Sequence, residues 1–174
     1  MTDTLTMQPS RQDRTIAWLA ALAICIHIVE SALPSPFPGM KPGLANIITL
    51  AVLLRYDWNT AAWVSLLRVL VGSLLAGSFL TPTFLLSLSG AVTSLAVLWA
   101  CCRLPGRLGL GPVGLSVMAA LAHMAGQFSS AYLLIIPHPG LFRLLPVLMT
   151  MALVFGIMNG MIVHTIVRQW ARPA

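Results

Sequence analysis

The sequence predicts an all-α integral membrane protein: six transmembrane helices forming one domain over residues 14–170, with a proline-rich first loop and a disordered cytoplasmic tail over 1–13. Composition is the first reason. Of 174 residues, 58% are hydrophobic and 8% charged, with a mean hydropathy of +0.90, whereas soluble domains carry about 25% charged residues. A soluble fold is thereby excluded. The second reason is the placement of basic residues: Arg11, Arg14, Arg55, Arg103, Arg107, Arg168 and Arg172 stand singly or in pairs at the ends of apolar runs. That placement marks membrane topology, and the net charge of +6 is not a nucleic-acid patch.

The first span runs from about Arg14 to Leu33, long enough at ~1.5 Å per residue to cross a hydrocarbon core of ~30 Å. Basic residues precede it as in a signal peptide, but the run is too long and ends in Glu30 without a small-residue cleavage site. A second apolar run, Leu44 to Tyr56, is short at roughly 20 Å of helix and must begin at Pro42 or leave the bilayer partly uncrossed. The third span is Trp58 to Ser78, with Arg68 near its middle, and the fourth Thr83 to Cys101. The RLPGRLGLG connection reads as a loop. The fifth span, Pro112 to Ile136, is broken by Pro137, Pro139 and Gly140; the sixth covers Phe142 to Val167. Six spans place both termini on one face, with seven basic residues on that side (11, 14, 55, 103, 107, 168, 172) against two on the other (41, 143). The positive-inside rule then puts both termini in the cytoplasm of a bacterial cytoplasmic (inner) membrane protein.

Between the first two runs lies ESALPSPFPGMKPGLAN, residues 30–46, which holds a carboxylate, four prolines and the only lysine. Prolines at 34, 36 and 38 keep the backbone extended, while Gly39 and Gly43 permit turns. Two readings stand: a stiff extracytoplasmic hairpin, or a lid over a site inside the membrane.

Ionisable groups within spans cost roughly 2.5–3.5 kcal/mol each and mark functional or packed interior positions. Counting the helical rise from the cytoplasmic ends puts Asn46, Arg68, His123 and Asn159 at roughly 13–17 Å, with His27, Glu30 and Gln127 at roughly 19–24 Å and Ser89–Gly90 between. His27 with Glu30, and His123 with Gln127, each fall on one helix face. A lone Asn or Gln in a span more often bonds a neighbouring helix than a ligand. Arg68 differs, because a permanent charge at that depth needs a carboxylate, water or a ligand, and Glu30 is the only acid on the outer half. The candidate ligand residues are therefore Glu30, Lys41, Asn46, Arg68, His123, Gln127 and Asn159, with Trp63 as an apolar wall if its face turns inward. The alternative is that Glu30 and Arg68 neutralise each other, although roughly 9 Å of helix rise separates them.

Several chemistries are absent. There is no phosphate-binding Gly-x-x-x-x-Gly-Lys-Ser/Thr loop. The four acids stand at least ten residues apart, so no paired aspartates could hold magnesium for prenyl transfer. No nucleophile elbow occurs, and no ligand spacing among His27, Glu30 and His123 supports a metal. Cys25, Cys101 and Cys102 lack CxxC spacing and read as packing residues. No cofactor is expected.

Glu30, GMKPGLAN (39–46), RVLVGSLLAG (68–77), Ser89–Gly90, AHMAGQ (122–127) and the late Gly156 and Gly160 together resemble a small membrane family known both as heptaprenyl diphosphate synthase component I and as Gx transporters. That family is itself similar to the substrate-binding S components of energy-coupling-factor (ECF) transporters. Two positions depart from its pattern: Pro42 after the lysine and Met124 after His123. The resemblance implies an S-component-like bundle whose first loop closes over an extracytoplasmic pocket for a small molecule. It also implies a coupling protein with paired ATPases as partner, docked on the small-residue strip of Ala17 and Ala21. The runner-up is a non-catalytic membrane partner of a prenyl diphosphate synthase or quinone-pathway enzyme.

Overall fold

The computed structural model describes residues 11–32, 43–103 and 110–170, all in helices and their short connections. Six α-helices follow one another: α1 (Arg11–Ala32), α2 (Leu44–Arg55), α3 (Trp58–Leu75), α4 (Pro82–Arg103), α5 (Pro112–Ser130) and α6 (Leu145–Trp170). The proline-rich loop, with Lys41, lies outside the described residues, as does most of the loop between α4 and α5.

By length and composition three segments can cross a membrane: α3, α4, and α6 together with the 3-10 turn leading into it (Pro139–Trp170). The other α-helices are shorter or less apolar. Over its described side chains α1 carries Asp13, Arg14 and Glu30, α5 carries His123 and Gln127, and α2 has only 12 residues, ~18 Å.

The expected boundaries shift at several ends, and α6 starts and finishes three residues later than expected, after a 3-10 turn over Pro139–Leu144. Helix α1 begins at Arg11, so Arg11 to Asp13 are helical rather than tail, with Asp13 in the first turn where a negative charge meets the positive helix end. Helix α3 ends at Leu75, three residues early. There Gly77 takes φ 65°, Ser78 N–H donates to Ser73 O at 2.9 Å and Gly77 N–H to Leu74 O at 3.2 Å, a left-handed closure that glycine accepts without strain. Helix α5 continues through a π turn, Ala131–Ile135, as far as the sequence predicts.

Packing forms a ring in which α1 contacts α3, α3 contacts α4, α4 contacts α5, α5 contacts α6, and α6 returns to α1 through α2. Helix α2 also touches α3 and α5 and is the innermost. A helix that is apolar all round belongs in the interior, and Ile47, Thr49, Leu50, Ala51, Val52 and Leu53 are all buried. Around them Ala23, Ala61, Val64, Leu98, Leu115, Ala119 and Val163 complete one core. It fills the half of the bundle nearer the chain ends. In the other half only Val69, Phe84 and Ala91 form a compact apolar cluster.

Small residues bring the last two helices together. A Cβ at Gly156 would stand 3.0 Å from Val117 Cα, and one at Gly160 2.6 Å from Val113 Cα, so this pair serves internal packing. Across the α4–α5 contact the Thr93 hydroxyl reaches the Ala122 carbonyl at 3.0 Å, and within α4 it lies 2.8 and 3.0 Å from the Ser89 and Gly90 carbonyls. Of the cysteines only Cys101 packs in the core; Cys25 and Cys102 are exposed, because their positions on α1 and α4 face outward.

Candidate functional site

The cavity begins where α2 stops. Helix α2 opens at Gly43, whose φ of 70° is left-handed, and no side chain of its own first turn caps it. Glu30, at the end of α1, supplies the cap: its Oε1 accepts from Gly43 N–H and, at 3.1 Å, from Leu44 N–H. Free N–H groups at a helix start favour an anion, and Glu30 is only 4% exposed. Its carboxylate is therefore committed to the backbone of α2.

Arg68 is 5% exposed. Its Nε is buried without a hydrogen-bond partner, and among the described residues it donates no hydrogen bond and forms no ion pair with Glu30. Glu30 acts on it only through the longer-range field. A guanidinium in this state has fork-shaped donor capacity that suits a carboxylate or phosphate.

Around Arg68 lies a cavity of about 80 Å³, room for a few waters or one small acidic group. Its polar wall is His27 and Glu30 from α1, Asn46 from α2, Ser87 from α4, His123 and Gln127 from α5 and Asn159 from α6; Met124, Met151 and Phe155 provide apolar wall. The structure thus brings together every expected ligand residue except Lys41, which lies outside the described residues.

The surrounding contacts divide the labour. Asn159 donates from Nδ2 to Gly43 O at 3.4 Å, tying α6 to the start of α2, so it is an interhelical partner as well as a lining group. The His123 ring is seated on Gly90, where a Cβ would come within 2.7 Å of its Nε2. The His27 ring is seated in the same manner on Gly72, at 2.9 Å from Cδ2. Glycines let imidazoles approach the helix backbones here.

One expectation fails on rotation. Trp63 is 59% exposed and walls nothing, because α3 turns Thr60, Val64 and Arg68 inward instead. Ser89 bonds its own helix, its Oγ donating to Leu86 O at 3.0 Å, while Ser87 lines the cavity. Ser87 stands three residues before Gly90, hence on the same face, and that spacing could have found it. Ala17 and Ala21 lie on the exposed side of α1 and Ala20 on its buried side. No group of three His, Cys, Asp or Glu side chains that could hold a metal occurs among the described residues.

Compared with known proteins, residues 19–166 match the family model described as heptaprenyl diphosphate synthase component I. No curated protein and no solved structure matches.

Proposed function

The chain belongs to the heptaprenyl diphosphate synthase component I family, and we propose that it is a six-span, non-catalytic membrane subunit that binds a small anionic molecule at Arg68 for uptake. The observation that carries this reading is the buried guanidinium whose Nε has no partner, facing a cavity walled by imidazoles and amides. In this reading His123, Gln127 and Asn46 orient the ligand, Lys41 adds a second cation from the first loop, and an ECF-type coupling protein with ATPases docks on the Ala17–Ala21 face. The termini and Arg103 are cytoplasmic and His138 faces outward, following the basic asymmetry. Whole-cell modification of a cysteine at 103, and not at 138, by an impermeant thiol reagent would reverse that orientation.

A second reading is favoured by the family's own description: a membrane component of a prenyl diphosphate synthase system. With no paired aspartates in the sequence, the chain would serve as the partner of a catalytic synthase subunit rather than as the catalyst.

Native mass spectrometry after gentle extraction tests the first reading. Wild-type protein retains a small acid and Arg68→Gln, though folded, does not. Because Arg68 forms no ion pair among the described residues, its removal takes away only the longer-range attraction of Glu30 and lowers thermal stability little. An Arg68→Gln protein that holds the same acid as tightly as wild type defeats the proposal. Co-purification of a soluble, aspartate-rich synthase with no small acid retained selects the second reading.

A further inference from the structure

Beside the Arg68 cavity lies a second one, about 250 Å³, between α1, α3 and α4. The hydroxyl residues Ser73, Ser78, Thr83 and Ser87 line it with His27, alternating with the apolar Val69, Ala76 and Phe84; the Ser73 and Ser78 hydroxyls also reach the Leu70 and Ser73 carbonyls, and none of the lining residues is acidic. Thr83 is exposed at the rim; Ser73 and Phe84 are buried at the floor. The cavity is therefore a funnel that opens at the α3–α4 connection, at the same end of the bundle as the start of α2. His27 and Ser87 belong to the walls of both cavities. The His27 ring rests on Gly72 with no Cβ beneath it, and it stands between the two spaces.

We propose that this funnel is an aqueous vestibule through which a small hydrophilic acid reaches Arg68, and that His27 is the partition between them. The proposal rests on the anion-binding reading and deepens it. An anion crossing an apolar zone without hydrogen-bond partners is strongly disfavoured, whereas a hydroxyl-lined, acid-free passage solvates it and does not repel it. Together the two spaces fall at the lower end of the ~300–1,000 Å³ of small-molecule sites.

The test uses the full chain in cells, with Cys25, Cys101 and Cys102 replaced and single cysteines introduced. The probe is the membrane-impermeant anion 2-sulfonatoethyl methanethiosulfonate. Ser73→Cys is expected to react with it from outside. Ser87→Cys, on the shared wall, reacts more slowly, and its rate rises about tenfold when His27→Ala removes the partition. If Ser73→Cys does not fold, Thr83→Cys at the exposed rim takes its place. Modification of these cysteines by membrane-permeant N-ethylmaleimide but not by the anionic reagent overturns the vestibule, since the funnel would then face lipid. An unchanged Ser87→Cys rate in the His27→Ala background overturns the partition. Labelling at Ser73→Cys in a protein that retains no acid supports the vestibule while defeating the Arg68 reading; retained acid with no labelling defeats the vestibule alone.

Discussion

The two halves of this bundle are built from the same helices under opposite rules. In the half nearer the chain ends, α2 runs through the middle, and Leu50, Val52, Ala61, Val64, Leu98, Leu115 and Val163 close around it with almost no exposed surface. In the other half α2 has already ended at Gly43, and the space it leaves is lined by Glu30, Arg68, His123 and Asn159. A single short helix therefore separates the part that holds the fold from the part that holds the chemistry. The glycines show the same division. Gly156 and Gly160 press on the backbone of α5, whereas Gly72 and Gly90 face imidazole rings.

The largest effect is expected where backbone meets backbone. Gly160→Ala sets a methyl 2.6 Å from Val113 Cα, which only separation of α5 and α6 can relieve. The better helix propensity of alanine returns about 1 kcal/mol, and overpacking of this kind costs about 1–3 kcal/mol or more. A marked drop in the thermal midpoint in detergent is the expected result, and an unchanged midpoint would show that this half is looser than its burial implies.

Next comes the junction of the halves. Glu30→Ala removes the acceptor of two N–H groups at the start of α2 and is expected to cost about 1–2 kcal/mol, the scale of a lost helix cap. Glu30→Gln keeps an oxygen that can accept and should lose less. Equal losses in the two variants would assign the role of Glu30 to its charge rather than to capping.

In the open half the sign changes. At Gly90→Ala the atoms nearest the methyl belong to the His123 side chain and not to backbone, so the ring gives way, and the helix-propensity gain of about 1 kcal/mol offsets much of the strain. Stability should stay near wild type while the retained ligand falls severalfold by native mass spectrometry. A Gly90→Ala protein as destabilised as Gly160→Ala would erase the distinction between the halves. The smallest effect on the fold is expected at the exposed face of α1. Ala17→Trp and Ala21→Trp should leave the thermal midpoint unchanged and abolish association with a coupling partner; a lost folded monomer would place these residues inside the packing.

The candidate site was legible because helical rise turns sequence position into depth. Asn46, Arg68, His123 and Asn159 could be placed in one layer by counting from span ends, and the cavity contains all four. Rotation about each helix axis was not legible in the same way. Helices this apolar show no strong polar face, so Trp63 could not be told from an inward residue, nor Ser89 from Ser87. Glu30 was noticed as the one outer-half acid, but its capping of α2 was hidden, since the two lie 13 residues apart in sequence and capping patterns are read locally.

By itself, then, the sequence determined that the chain is helical and apolar, where its helices break, and which few polar groups share a depth. These follow from composition, prolines and glycines, and a fixed rise per residue. Only the tertiary structure decided that α2 is central and too short, that Glu30 turns to its first N–H groups, and that Arg68 faces a cavity without an ion-pair partner among the described residues. Those outcomes depend on which helix packs against which and at what rotation, and such contacts between residues far apart in the chain leave no periodic signal along it.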